Sequence, residues 1–159
     1  NNISEIHRIF DTHYKEHHPS ICVNKNIIYI SYYYSYYKNK YSRDGYLKLA
    51  KSIDSGNTWE TKIIDNNQEV GAYSFIAIEN NYVYISYFDK SNGDLKLAII
   101  NNNEEKFHRK ILTVDKEKTA GLFSSILVKE NYIYISYVSS ESGDLHGHEG
   151  YLMCAILQK

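Results

Sequence analysis

Between Tyr33 and Asp44 the chain reads Tyr33-Tyr34-Ser35-Tyr36-Tyr37-Lys38-Asn39-Lys40-Tyr41-Ser42-Arg43-Asp44. Rings such as Tyr34, Tyr36, Tyr37 and Tyr41 can stack on the C–H faces of a sugar, while Arg43 and Asp44 bond its hydroxyls. Asp89, closing Tyr87-Phe88-Asp89, is added to this set. The same run also has an architectural reading, in which alternate tyrosines extend a strand and pack between sheets. A second set is His146, His148 and Glu149, joined by His17 from the segment that also holds His13 and His18. Imidazoles beside a carboxylate are ligands for zinc or another divalent ion. Solvated surface histidines are the commoner outcome, so the expectation is of no cofactor, a divalent metal being the one this pattern would fit.

Other chemistry has no residues to carry it. The sequence has no glycine-rich phosphate loop, no nucleophile elbow and no paired-cysteine metal site. Its two cysteines, Cys22 and Cys154, fall in apolar segments and read as small core residues. Ser20, Ser74 and Ser124 recur once per repeat, which argues for architecture over nucleophilic catalysis.

The elements that must position these residues come from an internal repeat. Tyr29-Ile30-Ser31-Tyr32 returns as Tyr84-Ile85-Ser86-Tyr87 and as Tyr134-Ile135-Ser136-Tyr137, at offsets of 55 and 50. An apolar segment precedes each copy and another, such as Leu95-Lys96-Leu97-Ala98, follows it. A fourth segment, Trp59–Ile64 or Phe107–Leu112, closes the first two units. The N-terminal Ile6–Phe10 aligns with that fourth segment and is expected to complete the third. Each segment is short, rich in Ile, Val and Tyr, and bounded by Asn, Gly, Asp or Ser, the strand-and-turn pattern. Tripeptides such as Asn24-Lys25-Asn26 suit tight hairpins, since Asn tolerates left-handed backbone. Four antiparallel strands per repeat of ~50 residues describe blades of a β-propeller. The expected fold is all-β: one domain over 1–159, with repeats at 18–65, 71–114 and 121–159.

Composition agrees and excludes several functions. The 159 residues carry a formal net charge of -1, which leaves no electrostatic footprint for nucleic acid. No apolar run is long enough to span a membrane. Tyrosine outnumbers phenylalanine 17 to 5 and there is one proline, both favourable to uninterrupted strands. With no initiator methionine and no basic, apolar leader, the chain reads as a processed product or an excerpt of something longer.

One turn is more specific. Ser52-Ile53-Asp54-Ser55-Gly56-Asn57-Thr58-Trp59 resembles the Asp-box, S-x-D-x-G-x-T-W, of sialidase-like BNR-repeat propellers. Asp54 suits backbone N–H groups inside a tight turn, Gly56 a positive φ, and Trp59 the gap between blades. Ser52 and Thr58 complete the pattern. The surrounding units also resemble a bacterial repeat running G-x-Y-S-S-I, Y-I-S-Y-Y-D and G-D-L-K-L-A, most closely at Gly71–Ser74, Tyr87–Asp89 and Gly93–Ala98. The second unit has lost the Asp, Gly and Trp positions over 99–106. In that family the Asp-box is a folding device on the face away from substrate, so the resemblance implies a propeller and does not imply sialidase activity. It leans towards an extracellular or cell-surface location. Sialidase chemistry needs three arginines around a carboxylate, and here Arg8 and Arg109 fall on outer strands while Arg43 alone is near the loops.

Three blades are too few for a closed ring, since propellers close with ~4–8. Two copies would make six, so the expectation is a homodimer, or else half of a longer propeller. Thirteen residues separate Tyr32 from Gly45 and Tyr137 from Gly150, against six from Tyr87 to Gly93. Enlarged loops over a rigid scaffold are where function gathers. The reading is a non-catalytic propeller binding glycan or protein through that loop-rich face. The alternative is a sialidase-like glycoside hydrolase or lyase whose site forms only in the assembled ring.

Overall fold

A computed structural model of the chain describes residues 9, 15–40, 42–102, 108–143 and 149–159. All regular structure among them is β, so no helix is long and apolar enough to cross a membrane. The first sheet orders β1 (Lys15–Asn24), β2 (Ile27–Asn39), β3 (Ser42–Ser52) and β4 (Glu60–Asp65) side by side. The second orders β5 (Val70–Glu79), β6 (Tyr82–Asp89), β7 (Asp94–Asn101) and β8 (His108–Asp115) in the same way. The third holds β9 (Thr119–Lys129), β10 (Tyr132–Ser140) and β11 (Tyr151–Gln158). Neighbours are antiparallel throughout, as in propeller blades. Ile6–Phe10, expected to complete the third sheet, lies outside the described residues except for Ile9.

Hairpin turns between the first two strands of each sheet place one residue in left-handed backbone: Lys25, Asn80 and Glu130, with φ of 54°, 55° and 56°. Only one of the three is Asn. A two-residue connection imposes that conformation and a neighbouring Asn does not have to occupy it.

The core lies between sheets. Tyr29, Leu47, Leu49 and Ile64 of the first blade meet Val70, Ile76, Val83, Ile85 and Tyr87 of the second. Tyr84, Leu95 and Leu97 of the second meet Ala120, Ile126, Ile133, Ile135 and Tyr137 of the third. Burying each large aliphatic here contributes about 1.5–3 kcal/mol.

The two joints use the same devices. Tyr87 Oη donates to Asp65 Oδ2 at 2.7 Å across the first, and Tyr137 Oη to Asp115 Oδ2 at 2.5 Å across the second. Ser31 and Ser74 hydroxyls meet at 3.1 Å, and Ser86 and Ser124 at 2.9 Å. Ser74 also donates to the His18 carbonyl, and Ser124 to the Tyr73 carbonyl, both at 3.1 Å. Gly71 and Gly121 have φ of 109° and 107°. They press so close that a Cβ would stand 2.7 Å from Leu47 Cα and 2.9 Å from Leu95 Cα, respectively. Each glycine sits in a β-bulge, between Val70 and Ala72 in one strand and between Ala120 and Leu122 in the other.

Register corrects one sequence alignment. Ser20 pairs with Ser31, as Phe75 does with Ser86 and Ser125 with Ser136. Pro19, not Ser20, therefore occupies the place of Ser74 and Ser124. Ser20 acts differently, accepting the Ile76 N–H at 3.2 Å.

Candidate functional site

The face built from the β2–β3 connection, the β6–β7 connection and the inner-strand starts carries most of the expected site. Residues 33–44, expected as an enlarged loop, run almost entirely as strand. The β2–β3 pairing continues through Tyr34 with Tyr46, Tyr36 with Asp44 and Tyr37 with Arg43, up to Asn39 with Ser42. Alternation then puts Tyr34 and Tyr36 on one side of the hairpin and Tyr33 and Tyr37 on the other.

On the first side the rings form a cluster. Tyr34 stacks on Tyr46 with centroids 6.3 Å apart, and Tyr36 meets Tyr46 edge-on at 5.8 Å. Tyr36 and Tyr46 hydroxyls bond at 2.8 Å, and Lys48 Nζ sits 4.0 Å over the Tyr34 ring. Lys38 Nζ lies 2.5 Å from Asp44 Oδ2, while the Gly45 N–H donates to Asp44 Oδ1 at 3.0 Å. Burial works to raise the Asp44 pKa. The Lys38 ammonium and the Gly45 and Glu69 N–H groups outweigh it and hold the carboxyl below its usual range. The Tyr36 phenol is pushed up to about 12, first by its bond to Tyr46. Tyr37 projects from the other side, 63% exposed. Arg43 lies in β3 opposite Tyr37, and Tyr41 lies outside the described residues.

Asp89 is placed differently from these. It is fully buried, its Oδ2 lies 2.6 Å from Lys96 Nζ, and it accepts the Ser91 and Asn92 N–H groups at 3.1 and 3.2 Å. It organises the short β6–β7 turn from inside. Asp65 is also buried, with Lys96 3.9 Å away. The Tyr87 phenol between them is raised far above its ordinary value by burial and by the Asp65 carboxylate.

The expected metal set is divided. His146 and His148 lie outside the described residues. Glu149 shares a cavity of about 310 Å³ with Glu141, Ser142, Gly150 and Tyr151 on the third blade. His17 belongs to β1 of the first blade, 6.3 Å from the Tyr33 ring. Among the described residues no three His, Cys, Asp or Glu side chains gather as a metal site. Arg109 lies on the outer strand β8, donating to the Ile63 carbonyl at 3.5 Å, and Arg8 is outside the described residues.

One feature escaped sequence reading. His18, Tyr73 and Phe123 each adopt a φ of 52° at the start of an inner strand. Their rings form a ladder, 4.5 Å from His18 to Tyr73 and 4.6 Å from Tyr73 to Phe123, ending in a Phe123 that is 53% exposed. The signal was present, because these residues stand at the same offsets of 55 and 50 as the tetrapeptide repeat.

The Ser52–Trp59 turn is held as its residue types require. Asp54 Oδ1 accepts the Thr58 N–H at 2.8 Å and the Ser52 hydroxyl at 2.9 Å, and its Oδ2 accepts the Thr58 hydroxyl at 2.6 Å. Gly56, at φ 95°, donates its N–H to Ser52 Oγ at 2.8 Å. Trp59, expected between blades, bonds its indole N–H to the Gly56 carbonyl at 2.9 Å. The two Thr58 bonds, side chain first, lower the Asp54 pKa to about 2.

No protein-family model matches the sequence, and no curated protein matches it. Solved structures do match the fold. A Dyadobacter fermentans DSM 18053 protein of unknown function aligns with a TM-score of 0.67 at 14% identity, covering 94% of this chain and 40% of that one. A Bacteroides ovatus protein described as Xyloglucan PUL GH43B aligns at 0.58 and 14% identity, over 91% of this chain and 27% of that one. A xylan beta-1,4-xylosidase from Bacillus halodurans C-125 aligns at 0.55 and 15% identity, over 89% and 28%. The chain thus spans less than half the length of each of these three structures. Together with the sheet order, these likenesses identify the fold as part of a β-propeller.

Proposed function

We propose that this chain is a non-catalytic module of an Asp-box propeller that binds glycan through its projecting tyrosine hairpin. The observation that carries the reading is the cluster of Tyr34, Tyr36 and Tyr46 beside the Asp44–Lys38 pair. Rings supply stacking surface, and the Lys38 ammonium at the rim, fixed by the buried Asp44 carboxylate, supplies a hydroxyl partner. Asp44 is poorly suited to proton transfer, because its neighbours favour the ionised form. The bonds of the Ser52–Trp59 turn support the Asp-box assignment. The three blades serve within a larger ring, supplied by a homodimer or by a longer propeller. An extracellular or surface location accords with that assignment.

A glycan array followed by calorimetry tests the proposal. Tyr36→Ala should weaken the best glycan at least tenfold, while Tyr82→Ala, at the distant β5–β6 turn, should leave it unchanged. Equal affinity in wild type and Tyr36→Ala, or no glycan bound at millimolar concentration, overturns it; a protein captured at the hairpin in place of glycan does so too. The alternative, a glycoside hydrolase or lyase site, draws on Glu141 and Glu149 lining one cavity beside Tyr151. It requires turnover of a fluorogenic glycoside that Glu149→Gln abolishes.

A further inference from the structure

The two joints inside the chain are built to one pattern, and the third blade presents half of that pattern to solvent. Leu152 stands where Leu47 and Leu95 stand in the other blades; those two are 0% exposed and Leu152 is 83% exposed. Ser136 is exposed where Ser31 and Ser86 are fully buried. Cys154, expected in the core, is exposed at the place of the buried Leu49 and Leu97. Beside them Ile156 is 63% exposed. In each internal joint these positions are covered by the next inner strand. That strand contributes a left-handed glycine against the leucine, an aromatic residue to the ring ladder, and a serine to the hydroxyl pair.

We propose that this free face is a socket for one further blade of the same repeat, recognised by an inner strand opening Gly-x-aromatic-Ser. The chain's own first blade does not carry that key. In β1, Glu16 and His17 pair with the successive residues Tyr34 and Tyr33, with no bulge residue between them. A second copy would therefore bring no glycine onto Leu152. It would also bring Pro19 where Ser74 and Ser124 stand, leaving Ser136 without its hydroxyl partner and the Phe123 carbonyl without a donor. The occupant is a blade of a longer propeller, and the homodimer is the disfavoured source of the missing half-ring.

Cys154 reports on the socket directly, because its thiol is exposed while Cys22 is half-buried, with a pKa pushed up to about 11 by burial. The experiment lengthens the full chain at its C-terminus by a second copy of residues 102–159, carrying Cys154→Ser in the added copy only. The addition supplies an outer strand and then an inner strand opening Gly-x-Phe-Ser. Alkylation of the original Cys154 should slow at least tenfold. It should return to the rate of the unextended chain when the added copy carries Gly121→Val and Ser124→Pro. Unchanged alkylation in the first extended chain overturns the proposal, as does equal shielding by the broken copy. Shielding of Cys154 that grows with concentration in the unextended chain would show its own first blade filling the socket, and overturns it too. Circular dichroism of each extended chain verifies that the added strands fold, and sugar binding does not enter the readout.

Discussion

The first and second blades share the tyrosine–aspartate bond, the serine pair and the bulged glycine by which a blade grips its neighbour, and differ at their β2–β3 and β6–β7 ends. In the second blade β6 and β7 stop at a short turn that Asp89 ties from within, backed by the buried Lys96. In the first blade Tyr34 replaces that aspartate, Lys48 swings over its ring, and the strands run on to Asn39 and Ser42. One lysine position thus serves a buried ion pair in one blade and a half-exposed cation–π contact in the next. The third blade completes the series with Ser139 and Met153, carrying no charge at either place. The joints fix the scaffold, and the rim is released to acquire projecting side chains.

The sharpest way to break this comparison is to remove one lysine at a time. Lys96→Met should cost about 3–5 kcal/mol in urea unfolding, because Asp89 is left buried without its counter-charge. Lys48→Met should cost only about 0.5–1 kcal/mol. Pairing Lys96→Met with Asp89→Ser copies the third blade, and should recover most of the loss; equal costs for the single and double variants would deny the equivalence. Gly71→Ala attacks a shared device and comes next, at about 2–4 kcal/mol, from left-handed strain plus the Leu47 clash.

The smaller effects are pH-dependent. Asp54 is depressed in the folded state, so its contribution is present above the ordinary carboxylate pKa and lost as pH falls towards about 2. Asp54→Asn should flatten the acid limb of the stability profile there. Tyr36 is raised, so its contribution is full below pH ~10 and fades as pH climbs through about 12. Absorbance titration should find one late-ionising tyrosine missing in Tyr36→Phe.

The blades were legible because the repeated tetrapeptide and its flanking apolar segments mark three strands per unit without reference to tertiary structure. The long hairpin was not, since Tyr33, Tyr34, Tyr36 and Tyr37 present tyrosine to both sides and hide the alternation that marks a strand. Ser20 was aligned one residue out because serine was matched to serine, whereas Ser20, Phe75 and Ser125 are the residues that pair with Ser31, Ser86 and Ser136. Asp89 read as a ligand group because nothing local shows that Lys96, one strand over, draws it inward. Cys154 read as core because it falls in an apolar segment, which is sound only where a neighbouring blade covers that segment.

The Ser52–Trp59 corner differs from the joints in how far along the chain its bonds reach. They span four residues or fewer, whereas the hydroxyl bonds between blades span 22 to 56. Closing a loop of ten residues takes about 10–100 ns, and the entropic penalty rises with the logarithm of separation. This corner can therefore be in place while the rest of the polypeptide is still searching, giving β3 and β4 an early seam from which the sheets are laid down in turn.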